Sequence, residues 1–117
     1  MHAQQIIQDL LVTECPSIHA KRRTCVAAMA QAGSDGGLSL VGMSRVVGGT
    51  TSLRHRIKRC DRLLGNSKLM NERQRIYGAM ARRVIGGIAQ PIIIIDWSDL
   101  CPDRSQQLLR AALTLQG

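Results

Sequence analysis

Aromatic residues are nearly missing from this chain of 117: one Trp, one Tyr and no Phe, 2% in all. That excludes a core built on rings, and it removes the stacking platforms that grip single-stranded nucleic acids. Acidic residues are scarce as well, 8 Asp+Glu against 16 Lys+Arg, which leaves a formal net charge of +8. The four cysteines, at 15, 25, 60 and 101, include no CxxC and face no His at ligand spacing, so a structural zinc site has no support. Residues 1 to 20 show no apolar run behind a basic start, as a secretory leader would. A disulfide framework is therefore not expected, and the thiols read as small core or surface residues in a reducing cytosol. No apolar stretch approaches the ~20 residues of a membrane span. The phosphate-binding pattern GxxxxGK[ST] is absent too, which excludes a P-loop enzyme.

What remains is a chain with 44% hydrophobic and 21% charged residues, enough for a packed aliphatic core. Its length bounds it to one domain, or one small domain plus a piece of another. A pI near 10.4 points to a polyanionic partner. DNA or RNA comes first and an acidic membrane surface second. The membrane is disfavoured, because the basic helices carry buried stripes and no aromatic anchors.

Two regions differ in periodicity. Residues 1–88 read as a helical, DNA-binding domain and 91–117 as extended chain. The spacing predicts helices over about 3–13, 18–32, 41–47, 53–64 and 68–85, with Gly33-Ser34-Asp35-Gly36-Gly37 as a loop. The second helix starts with Lys21, Arg22 and Arg23, whose charge opposes the helix dipole and which a phosphate would relieve. Thr51 or Ser52 can cap the fourth helix, and Gly65-Asn66 stops it. A strand follows over 92–97, and 108–115 reads as a second strand, with a helix as the alternative.

The third and fourth predicted helices, joined by Gly48-Gly49-Thr50-Thr51, have helix-turn-helix proportions. In the fourth, Leu53, Ile57, Cys60 and Leu64 make one apolar stripe. His55, Lys58, Arg59 and Arg62 fall opposite it, with Arg54 and Arg56 on the flanks. From Arg54 to Arg83 there are ten Lys+Arg and two acids, Asp61 and Glu72. Solvated helices ordinarily mix signs through i,i+4 pairs; here the cations repel one another until an anion arrives. This face is the candidate DNA contact, with Arg54, His55, Lys58 and Arg59 foremost. The alternative is a solvated basic face with no specific partner.

The sharpest local pattern is Ile92-Ile93-Ile94-Ile95-Asp96-Trp97-Ser98-Asp99. Four consecutive Ile read as a strand buried on both faces, and an Asp after it is costly to bury unless paired or on a metal. A phosphatase nucleophile would need DxD, which Asp96-Trp97-Ser98 does not supply. Two readings stay open: Asp96 as a divalent-metal ligand at the head of an RNase H-like core, or as a cap of the following loop. Asp99 and Asp103 read as loop residues.

The stretch Ile57-Lys58-Arg59-Cys60-Asp61-Arg62-Leu63-Leu64-Gly65-Asn66, followed by Pro91 through Asp99, resembles the amino-terminal part of bacterial insertion-sequence transposases. These are the cut-and-paste DDE class whose intermediates pass through a DNA hairpin. Cys15-Pro16, and Asn71-Glu72-Arg73 ahead of Tyr77, fit the same pattern. The resemblance implies a mainly α fold: a multi-helix DNA-binding region with a helix-turn-helix-like pair, then a short β-hairpin that begins an RNase H-like α/β catalytic domain. It implies binding to terminal inverted repeats of double-stranded DNA, for DNA transposition in a bacterial, nucleoid-associated setting. A homodimer or intact transposase is the implied protein partner. Asp96 matches the first of three carboxylates that hold Mg²⁺ in the family, and the basic residues Arg54 to Arg62 match its DNA-binding part. The other two carboxylates lie downstream in the family, so these 117 residues read as a truncated, catalytically incomplete transposase that binds no Mg²⁺ tightly. The alternative is a small non-enzymatic DNA-binding regulator, or a competitor of intact transposase.

Overall fold

A computed structural model describes residues 2–114. Helices occupy most of it: α1 (Ala3–Glu14), α2 (Ala20–Gly36), α3 (Leu40–Val46), α4 (Leu53–Leu64) and α5 (Ser67–Ile85). Two strands follow, β1 (Ile93–Asp99) and β2 (Gln107–Leu113). The chain divides into two compact units, Met1–Arg82 and Arg83–Gly117. Among the described residues no helix is long and apolar enough to cross a membrane.

In the first unit α2 lies between two apolar clusters. Leu10, Leu11, Cys15, Ile18 and Ala79 form one, with Ile7, Val26 and Ile76 against it. Ala32, Met43, Val47 and Cys60 form the other, with Met29 and Leu40. Without rings to fill space, the helices close on small side chains: Ala27, Ala79 and Cys60 are fully buried. Leu11 and Ile18 are the largest apolar side chains removed from water, each contributing about 1.5–3 kcal/mol.

Local chemistry sets the helix ends. Ile18 is not the start of α2. It closes a turn on the Cys15 carbonyl and is pinned in the core, so the helix begins at Ala20. Arg23 Nη1 donates to the carbonyls of Pro16 (2.8 Å) and Ile18 (2.7 Å), satisfying this connection. The Ser39 hydroxyl caps α3 by accepting from Gly42 N–H at 3.0 Å, and Asn66 Oδ1 accepts from Leu69 N–H at the head of α5. Buried Ser44 is satisfied by the Leu40 carbonyl at 2.6 Å.

One expected loop is helix instead. Residues 33–36 continue α2, which ends at Gly37 with φ +79°. The glycines serve packing: a Cβ on Gly36 would stand 2.5 Å from the Gly42 carbonyl oxygen, so α2 and α3 approach there without side chains between them.

The second unit is a hairpin. Its strands pair antiparallel, from Ile93↔Leu113 through Asp96↔Arg110 to Asp99↔Gln107. The alternative helix over 108–115 is thus replaced by strand to Leu113; Leu115 lies outside the described residues. Asp99 belongs to β1 rather than the loop, because it still pairs across the ladder. In the connecting turn, Asp103 Oδ1 accepts from the Ser105 hydroxyl (2.8 Å) and N–H (3.1 Å), which holds its carboxyl below the usual aspartate range. The isoleucines are not buried on both faces as expected: Ile93, Ile94 and Ile95 are 53–64% exposed, because two strands offer no second layer.

Candidate nucleic-acid interface

α4 carries the basic residues singled out in the sequence, and they divide into two sets. Arg56 and Arg59 brace the preceding backbone. Arg56 Nη1 donates to the Arg45 carbonyl (3.1 Å) and Arg59 Nη2 to that of Gly48 (2.8 Å). They fix α4 against the end of α3 and the turn after it. His55 is drawn to the helix start, where Nδ1 hydrogen-bonds with the Ser52 hydroxyl at 2.8 Å. Ser52 is the N-cap residue but makes no side-chain cap bond to the backbone, so it serves the imidazole instead.

Arg54, Lys58 and Arg62 form the second set. Spaced i, i+4 and i+8, they share one exposed stripe, and none forms an ion pair among the described residues. Like charges at this spacing disfavour the bare helix by a few tenths of a kcal/mol per pair, ~0.2–0.5. Asp61 lies on the same side and is likewise free of ion pairs among the described residues.

The buried side of α4 is turned slightly from the expected stripe. Cys60 is fully buried, and Ile57, Leu63 and Arg56 are half-buried. Leu53 and Leu64 are 37% and 50% exposed. The cause is Arg56, whose stem packs inward as its guanidinium reaches Arg45. The connection between α3 and α4 runs over 47–52, longer than the three or four residues of a helix-turn-helix turn.

Elsewhere some cations have carboxylate partners, among them Arg110 on the hairpin. Arg22 grips Glu72 through two 2.6 Å hydrogen bonds. Arg82 lies 3.9 Å from Glu14, and Arg104 lies 3.4 Å from Asp99. Of the family-like residues outside α4, Cys15 is core, Glu72 is this ion-pair partner, and Tyr77 is exposed.

Asp96 stands apart from these. It lies on β1 in the second unit, exposed, and its Oδ2 accepts from Arg110 Nη2 across the hairpin at 2.8 Å. Ile94, Ala111 and Ala112 complete its surroundings. A divalent ion needs several oxygen donors together, and the residues at Asp96 offer one carboxylate beside a guanidinium. Among the described residues no three His, Cys, Asp or Glu gather where they could hold a metal. The donor set here does not fit a two-metal site.

No family model, no curated protein and no solved structure matches this chain.

Proposed function

We propose that the helical unit is the DNA-binding portion of an insertion-sequence transposase and that it holds the terminal inverted repeats of its element as duplex DNA. The supporting observation is the α4 stripe: Arg54, Lys58 and Arg62 are exposed, aligned on one helix face and in no ion pair among the described residues. Phosphate oxygens supply most of the binding, and release of condensed counterions drives it. The Arg54 fork on a guanine edge adds sequence choice. In this reading Asp96 is the first of the three family carboxylates that would hold Mg²⁺, and no other two gather beside it among the described residues.

A second reading is a non-enzymatic DNA-binding regulator that competes with intact transposase. The Asp96–Arg110 ion pair favours it, since a carboxylate already matched by a guanidinium serves the hairpin.

Duplex binding measured by fluorescence anisotropy across a salt series tests both. The expected result is a steep fall of affinity with salt. Replacing Arg54, Lys58 and Arg62 together by Gln should reduce the log–log slope by about 2–3, near 0.9 for each phosphate no longer neutralised. Absence of binding at low salt, or a slope untouched by the triple substitution, rejects the α4 assignment. A selective advantage for transposon ends over random duplex separates the first reading from a general regulator.

A further inference from the structure

A cleft opens between the first turn of α2 and the C-terminal half of α4. His19, Lys21, Arg22 and Cys25 line one wall, and Arg59, Arg62, Leu63 and Asn66 line the other. Its volume is about 310 Å³, some ten times the ~30 Å³ share of one water in the liquid. No carboxylate lines it. Arg22 is matched by Glu72 behind the cleft, but the rest are not so matched. Lys21 and Arg62 form no ion pair among the described residues. Arg59 has only the neutral Gly48 carbonyl, and His19 makes no side-chain bond to the helix it precedes.

Cations from two helices that converge on one hollow, with no anion among them, hold each other in mutual repulsion. A tetrahedral oxyanion removes that repulsion and can accept from a planar guanidinium fork and an ammonium at once.

We propose that this cleft binds a phosphate group, with Lys21 and Arg62 as its direct ligands and Arg59 as the charge behind them. The inference deepens the DNA reading and rests on it for the source of the phosphate, a backbone position next to those held by Arg54 and Lys58, with Arg62 shared between stripe and cleft. Lys21, on α2, would then carry a contact that the helix-turn-helix-like pair alone does not contain, and the duplex would be held by two elements. The same chemistry would also admit free phosphate.

Cys25 gives a direct readout. It is exposed on the cleft wall, whereas Cys15 and Cys60 are buried, so Cys101→Ser leaves one accessible thiol. In that background, iodoacetamide alkylation of Cys25 is followed with duplex DNA, with pyrophosphate alone, or with neither. Each is repeated in Lys21→Gln and Lys21→Arg, with helicity checked by circular dichroism. The expected result is that duplex slows alkylation several-fold, that Lys21→Gln abolishes this protection and that Lys21→Arg keeps it. The salt slope for duplex should also fall by about 1 in Lys21→Gln. If duplex binds with a steep slope yet Cys25 reacts at its free rate, the cleft proposal is overturned and the α4 assignment stands. If duplex fails to bind but pyrophosphate protects Cys25 through Lys21, the cleft is a site for free phosphate and the DNA reading falls. Protection by neither ligand overturns the cleft.

Discussion

Arg22 and Glu72, fifty positions apart, meet in a two-pronged ion pair: Nε on Oε2 and Nη2 on Oε1, both at 2.6 Å. It ties the first turn of α2 to α5, and both side chains are about 15% exposed. The Arg22 hydrogen bonds hold the Glu72 carboxyl below its ordinary value of 4.5, against burial, which pushes the other way; the charges of Arg22, Arg75 and Lys68 add to the lowering.

A depressed carboxyl stabilises the fold above its unfolded-state value and loses that contribution as pH falls through the folded-state value. Glu72→Gln is therefore expected to lower Tm by several degrees at pH 7. The gap between the two proteins should stay open down to about pH 4.5, the ordinary value, and close below it. Thermal melts across a pH series check this. A gap that persists unchanged well below that pH would place the effect in packing rather than charge.

The two sets of cations on α4 should separate by experiment. Arg56→Ala and Arg59→Ala each remove a donor to a backbone carbonyl and are expected to cost about 1 kcal/mol of stability. Arg54 and Lys58 side chains make no hydrogen bond or ion pair among the described residues, so Arg54→Ala and Lys58→Ala should leave stability within about 0.5 kcal/mol, with any gain coming from relieved repulsion. Urea unfolding of the four variants, beside their duplex affinities, gives the contrast.

Gly36→Ala should be among the most harmful small substitutions. Its new methyl would meet the Gly42 carbonyl oxygen at 2.5 Å and Val46 Cγ2 at 2.8 Å, so α3 must shift; overpacking of this kind costs roughly 1–3 kcal/mol. Gly48→Ala, with nothing within 4 Å, serves as the control and should be nearly neutral. Denaturant midpoints measure both.

In the hairpin turn Arg104 sits at φ +58°, a left-handed conformation that a side chain disfavours by roughly 1 kcal/mol. Its ion pair with Asp99 is exposed at 3.4 Å and returns little. Arg104→Gly should steady the hairpin. Hydrogen exchange of the amides in β1 and β2 should slow, while those of α2 stay unchanged.

The helices were legible because apolar spacing and caps are local properties. α4 spans Leu53–Leu64 as expected: Gly65 and Asn66 stop it, and Ser52 stands at its N-cap although its hydroxyl serves His55 and not the backbone. Residues 33–36 are helix against their pattern, because Gly signals a break unless a neighbouring backbone needs the room, and Gly42 is that neighbour only in space. The turned face of α4 was hidden for a similar reason. Pattern counts Arg56 as polar, whereas its stem is apolar and its donors find Arg45. Arg22 and Glu72 carry no local mark of their partnership. The cleft was half legible: Lys21-Arg22-Arg23 at a helix start asks for an anion, but only the fold brings Arg62 to face it. Four isoleucines correctly signalled a strand, but not the number of strands available to cover it.

Because α2 separates two apolar clusters, it acts as a party wall between two rooms. Met29 and Ala32 look into one, Val26 into the other, and Ala27 is fully buried in the same helix. Neither room can lose its wall without opening the other. Damage near Cys60 should therefore be felt at Leu11, and the first five helices should come apart in one concerted melt rather than by halves.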